Sequence, residues 1–402
     1  MAGVLSRKIR AFSNKTKGVL SKQLGGRTPS ATDADGISRT DREAQDVLMP
    51  LLNAPPAPNA LATVLVFADG NGATQRISFE LPLEGPRKAG LVRLVMLSES
   101  DFDQGSPIVA NQRAAKAIHD LDPTHVIVSR FGGQGATGII KACQERNQSF
   151  IMHLDDNLFS VPEAVGQSKS EKYQNPGRRS RLRLLCERAS KVYASTAELA
   201  SQLEEKGIST PVKAGRIYCA GLGEGVPFRE RAEPIIGYMG TSGHAADLEA
   251  IVPTIRSIMN HNPAVSFETF GSIKMPRLLQ KVFPDRVQAH SATSSYQEFL
   301  DKFADMGWTC GLAPLEDNKF NACKANTKYI EYSQAGIPCI ASASAVYNDT
   351  IIEGAGILAH SVDDWREGII KIIKTQKLAA DMVELALKNI AQDWSQSGLL
   401  AQ

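Results

Sequence analysis

The sequence has no long hydrophobic run: no window of its 402 residues approaches the roughly 18 consecutive apolar positions that a membrane-spanning helix needs. Its first residues also lack the compact apolar core and small-residue cleavage site of a secretory signal peptide. The six cysteines, at 143, 186, 219, 310, 323 and 339, include no Cys-x-x-Cys pair, so reduced thiols in a cytoplasmic protein are expected rather than a disulfide framework. An excess of one charge is missing too. With 45 basic and 43 acidic residues, the formal net charge of +2 gives no ground for a nucleic-acid partner. Phe131-Gly132-Gly133-Gln134-Gly135 is glycine-rich but lacks the Lys-Ser/Thr ending of a P-loop, and is read as a turn. His153 and His244 stand in no His-x-x-His or His/Asp cluster of ligand spacing, so no required metal and no cofactor are expected.

What is present is a balance of 43% hydrophobic and 22% charged residues, enough for two sizeable cores. Residues 1–27 form a separate basic arm, with Arg7, Lys8, Arg10, Lys15, Lys17, Lys22 and Arg27 and no acidic residue. Leu5, Ile9 and Phe12 fall on one helical face, so the arm is expected to lie on an anionic membrane surface; a disordered tail and an organelle transit peptide are the alternatives. Residues 28–59, rich in Ser, Thr, Asp and Pro, read as a linker.

From residue 60 onward, short apolar runs alternate with helix-length amphipathic segments, the pattern of parallel strands buried on both faces. Strands are expected at 62–68, 91–97, 125–129, 149–154 and 191–194, and helices at 107–121, 135–146, 177–188 and 196–206, with Thr196 as an N-cap. A polar break at 231–234 separates this 60–230 domain from a second, 231–375. Its strands are expected near 235–239, 265–270, 287–290, 308–313, 337–341 and 356–359, with helices at 362–374 and 377–393. Pro253 is expected to bend a helix beginning near Asp247. The 376–402 segment is expected to pack back toward the first domain. The fold class is thus α/β, two Rossmann-like doubly wound domains facing each other across a cleft, where such sheets bind ligands.

Three motifs address that cleft. Ile-Ile-Gly-Tyr-Met-Gly-Thr-Ser-Gly-His at 235–244 runs from a strand into a turn where Gly240 and Gly243 let the main chain approach an anion. Thr241, Ser242 and His244 add donors beside it; tight packing is the other reading of these glycines. In the 308–342 stretch, Asn321 and Lys324 end a polar loop, and Lys324, Lys328 and Glu331 are spaced i, i+4 and i+7, as on one helical face. Two ammonium groups there would meet a diphosphate and the carboxylate would accept from ribose hydroxyls, unless the three form only a solvated ion-paired face. His153-Leu154-Asp155-Asp156-Asn157 follows a buried strand, so Asp155 and Asp156 are expected to position an acceptor hydroxyl or to serve as turn residues. Arg130 is a partner for that pair or for an acceptor phosphate.

The 308–342 stretch resembles the nucleotide-sugar motif of glycosyltransferase family 4 and its relatives, with Glu331 matching the second Glu of their Glu-x7-Glu pattern before Gly336-Ile337-Pro338. The first Glu is replaced by Cys323. Phe320-Asn321-x-x-Lys324, the 237–244 turn with Asp247, Phe270-Gly271 and Asp155-Asp156-Asn157-Leu158-Phe159 are similar to a bacterial subgroup tied to surface-polysaccharide synthesis. The resemblance covers about residues 60–395. It implies a GT-B fold and retaining, metal-independent transfer from a nucleotide diphosphate sugar to a lipid-linked glycan acceptor. The nucleotide sugar is then a co-substrate. A sugar-nucleotide epimerase of this fold and a non-catalytic nucleotide-sugar-binding partner protein are the alternatives.

Overall fold

The computed structural model describes residues 60–217, 223–395 and 399. The basic arm and the linker lie outside these residues, as does Cys219; the remaining five cysteines are free and buried.

Each half is built on one parallel six-stranded sheet. The first contains β1 (Ala62–Ala68), β2 (Val92–Ser98), β3 (His125–Ser129), β4 (Phe150–Leu154), β5 (Lys191–Ala194) and β6 (Val212–Ala214), in the order β2-β1-β3-β4-β5-β6. The second contains β7 (Ile235–Gly240), β8 (Ser266–Gly271), β9 (Val287–Ser291), β10 (Cys310–Ala313), β11 (Cys339–Ser342) and β12 (Ile357–Ala359), in the order β12-β11-β10-β7-β8-β9. The chain starts one strand in from an edge in the first sheet, at β1, and near the middle in the second, at β7; in each it reverses direction beside that strand, and the strands flanking this switch point send their C-terminal ends to one opening. The apolar run Ala-Thr-Val-Leu-Val-Phe-Ala makes β1 because it is paired on both edges, by β2 and β3, and its last five residues are buried.

The expected strands and helices form within two residues of their expected bounds. Local chemistry explains the sharp starts. Ser106 accepts from the Val109 amide with Pro107 in the first turn, Thr196 accepts from Leu199, and Ser361 with Asp364 closes a capping box. Pro253 does not bend one long helix. It opens a second, Val252–His261, after Ala245–Glu249 has ended, because a missing amide costs nothing in a first turn. The 131–135 stretch is a turn, as expected. Its Gly132 amide is already bonded to Glu99 Oε1 at 2.7 Å, and a Cβ at Gly132 would lie 2.8 Å from Arg178 Cγ, so no phosphate is cradled there.

The helix Gln376–Asp393 packs on Thr327–Gln334 and Val362–Lys374, and at its end Arg216 reaches Asp393 Oδ1 at 3.2 Å and lies over the Trp394 ring. Ala386, Ile390 and Trp394 enter the same apolar cluster as Phe303, Trp308 and Tyr332 of the second domain and Ile77, Leu81 and Ile217 of the first. Among the described residues, no helix is long and apolar enough to cross a membrane.

Candidate functional site

The two sets of strand ends enclose a cleft of about 1410 Å³. Its first-domain wall is a charge network centred on Arg130. That residue leaves the end of β3 in the left-handed region, φ 56°, a conformation that costs a non-glycine residue roughly 1–2 kcal/mol and aims the guanidinium between two strand ends. Its Nε donates to Asp69 at 3.1 Å beyond β1, while Nη1 donates to Asp155 and, at 3.3 Å, to Asp156 beyond β4. Tyr173 donates to Asp69 at 2.6 Å, Thr74 to Asp155 at 2.7 Å, and Lys169 to Asp156 at 3.2 Å. Burial alone would lower the Arg130 pKa; the carboxylates of Asp155 and Asp69 outweigh it and hold the group well above its ordinary value. Burial works against ionised Asp156 and Asp69 as well, yet Lys169 with Arg130 at the first, and Arg130 with Tyr173 at the second, keep both below the usual carboxylate range. Thus Arg130 is the partner of the acidic pair. Asp155 is occupied on both oxygens, and Asp156 is the carboxylate with more exposure.

The second-domain wall is the turn after β7. Gly240, Thr241, Ser242, Gly243 and His244 all line the cleft, with Thr241 and Ser242 exposed and 242–244 forming a single 3-10 turn. Gly240 is needed for close packing: a Cβ there would lie 3.1 Å from Lys328 Nζ and 3.2 Å from the Tyr238 ring. A Cβ on Gly243 would lie 3.0 Å from the Val165 carbonyl of the first domain, so this glycine serves the approach of the two walls. His244 shares a 2.8 Å hydrogen bond with Asp247, and burial, with Lys328 and Lys324 nearby, pushes its pKa down to about 4, leaving a neutral imidazole at pH 7.

Lys324, Lys328 and Glu331 do not share one helical face. Lys324 sits in the loop after the short helix Lys319–Ala322, and only the other two belong to Thr327–Gln334. All three still line the cleft, because the loop folds Lys324 Nζ to 3.5 Å from His244 and 4.0 Å from Asp247. Nor is this a solvated face. Lys328 and Glu331 are each 8% exposed, and Lys328 Nζ donates to the Met239 carbonyl at 2.6 Å above the Tyr238 ring. Burial brings the Lys328 ammonium down to about 8 and the Glu331 carboxyl up to about 7, the latter opposed by a 2.6 Å hydrogen bond from Tyr296. Asn321 is turned away to a supporting role, with Nδ2 donating to Asp247 at 3.3 Å and to the Glu316 carbonyl at 3.0 Å. Cys323 is fully buried in the apolar cluster of the first domain and does not line the cleft, so its thiol takes no part in the cleft wall.

Asp69, Tyr173, Lys169, Thr74 and Tyr296 were not among the expected site residues. Asp69 had a usable signal, an acid just beyond a buried strand, like Asp155; Tyr173 and Lys169 lie in a polar helix, Gln167–Gln174, without apolar period. His153 is a core residue, stacked on Tyr193 and bonded to Ser129, and burial lowers it to about 4. Among the described residues, no group of three or more His, Cys, Asp or Glu could hold a metal ion.

No family model matches the chain, and no curated protein matches it by sequence. Solved structures do match. Sucrose-phosphate synthase from Thermosynechococcus elongatus superimposes with a TM-score of 0.59 at 14% identity over 85% of this chain and 97% of that one. HepE from Anabaena, solved in complex with UDP-glucose, gives 0.56 at 13% over 85% and 98%. TarM gives 0.54 at 12% over 73% of this chain, which spans only 57% of TarM's length. With two parallel six-stranded sheets facing each other across a cleft, the chain has the GT-B glycosyltransferase fold.

Proposed function

We propose that the protein is a glycosyltransferase that moves a sugar from a nucleotide diphosphate sugar to a hydroxyl of a lipid-linked glycan, with retention at the anomeric carbon and without a required metal. The observation that carries this reading is the meeting of the 240–244 turn with two lysines, Lys324 and Lys328, in one cleft wall opposite an acidic wall. The diphosphate would lie on the turn between Lys324 and Lys328, whose charges stabilise the nucleoside diphosphate as it leaves with the electrons of its bond to C1. Glu331, steadied by Tyr296, would accept from the ribose hydroxyls. Across the cleft, Asp156 would orient the acceptor hydroxyl, with Asp155 and Arg130 holding it in place; the hydroxyl oxygen bonds C1 and its proton departs with the diphosphate. HepE was solved with UDP-glucose, which makes uracil the first base to test. The basic arm, residues 1–27, would bring the enzyme to an anionic membrane carrying the acceptor.

Calorimetric titration with UDP, ADP, GDP and dTDP tests the donor site. At least one should bind the parent protein, and Lys324→Ala should weaken it by roughly 1.5–3 kcal/mol, the contribution of a charge-assisted hydrogen bond. Silence from all four, or equal binding by Lys324→Ala, overturns the assignment.

A further inference from the structure

The two walls of the cleft also touch behind it. Gln202, buried in the first-domain helix Ala197–Glu205, accepts from Asn157 Nδ2 at 2.8 Å and donates to the Lys319 carbonyl of the second domain at 2.9 Å. At the start of the same helix, Thr196 Oγ1 donates to the Cys323 carbonyl at 3.0 Å, and the adjacent Ser195 donates to the Asp155 carbonyl at 3.2 Å. Phe320 and Cys323 are buried with the core of the first domain. The segment leading into Lys324 is therefore fastened to the domain that carries the acidic pair, although Lys324 itself is aimed at His244 and Asp247 of its own domain. Asn157, wholly buried, directly follows Asp156.

We infer that Gln202 and Thr196 are positioning residues that set Lys324 and the 155–157 loop in register with one another. The inference rests on the nucleotide-sugar reading of the cleft. Its physical ground is that Lys324 stands in a loop, outside any strand or helix. Its amide donates to the Asn321 carbonyl at 3.0 Å within a local turn, and that turn is anchored to the first domain through the held carbonyls of Lys319 and Cys323, one of them belonging to the residue just before it. Neither Gln202 nor Thr196 lines the cleft, so any effect of theirs on a bound nucleotide must pass through the 319–324 segment or the 155–157 loop that they hold.

The experiment uses the full-length protein and whichever of UDP, ADP, GDP or dTDP it binds, with affinity and thermal midpoint measured for each variant. Gln202→Ala should weaken binding on the order of tenfold, and the Gln202→Ala/Lys324→Ala double variant should bind no more weakly than Lys324→Ala alone, as expected for residues in one network. Thr196→Val should weaken binding and Thr196→Ser should restore it, because Ser keeps both the donor to Cys323 and the cap on Leu199; this pair decides the matter if Gln202→Ala does not fold. Parent-like affinity in a folded Gln202→Ala, losses that multiply in the double variant, or no difference between Thr196→Val and Thr196→Ser would each overturn the inference. A parent protein that binds none of the four removes the donor-site reading itself, a result distinct from any of these.

Discussion

At the scale of single residues, the cleft contrasts one saturated carboxylate with one less tied. Asp155 accepts from Arg130 and Thr74 and is buried, whereas Asp156 shares Arg130 and Lys169 through longer contacts. Asp156→Asn should therefore leave nucleotide affinity in place and abolish most transfer, measured as release of nucleoside diphosphate in the presence of acceptor; parent-rate turnover would move the acceptor role elsewhere. Arg130→Ala is the harsher change, since it strands three carboxylates at once, and a loss of about 3–5 kcal/mol in chemical denaturation is expected from breaking such a buried pair. The pH dependence has a definite sign. His153 is lowered from 6.5 to about 4, so the unfolded chain takes up its proton first on acidification. The stability this group contributes is full above pH 6.5 and is lost as the pH falls toward 4, amounting at most to about 3 kcal/mol. His244 acts in the same direction. A plot of thermal midpoint against pH should therefore rise from about pH 4 to 6.5, and His153→Phe should make that rise shallower. Much of the second wall was legible from glycines and lysines at a strand-to-helix turn. The pairing of Asp69 with Tyr173 was not, because it joins positions 104 apart in the sequence, and only the fold brings them to 2.6 Å.

At the scale of elements, β strands showed themselves as apolar runs because parallel strands buried on both faces admit few polar residues. Two helices beside the site were not among the expected elements. Gln167–Gln174 buries only Ser170 and Tyr173, so it has no apolar stripe to read, whereas Tyr296–Met306 buries Leu300 and Phe303 on one face and is capped by Ser295, whose Oγ accepts from the Glu298 amide at 3.1 Å. Lys324 ends a loop as expected, but the single helical face expected for Lys324, Lys328 and Glu331 failed for a local reason: the chain leaves the short helix at Cys323 and does not re-enter helical geometry until Thr327. Close approach of strand ends gives a further test. Gly271 has φ 115°, and a Cβ on it would lie 2.3 Å from the Gly240 carbonyl at the end of the neighbouring strand. Gly271→Ala should cost roughly 1–3 kcal/mol through backbone strain and displace the 240–244 turn, so thermal midpoint and nucleotide affinity should fall together. A drop in midpoint with unchanged affinity would detach the turn from nucleotide binding.

At the scale of the whole molecule, the proposed membrane arm predicts a difference between full-length protein and a form beginning near Thr40. On anionic vesicles at low salt only the full-length form should co-sediment, and high salt should release it, since each basic side chain near such a surface contributes about 1 kcal/mol that screening removes. Equal sedimentation would end that proposal. The apolar cluster shared by three distant parts of the chain bears on a different matter, the order in which the protein is made. The first sheet is complete once residue 214 has been synthesised, and it needs nothing from later residues for its strand pairing. The second core must wait for Ala386, Ile390 and Trp394, and until they arrive Ile77, Leu81 and Ile217 have no partners from the last helix. A nascent chain halted before residue 376 would thus carry a finished first domain with an apolar edge still open, the kind of surface that chaperones hold and that aggregation exploits.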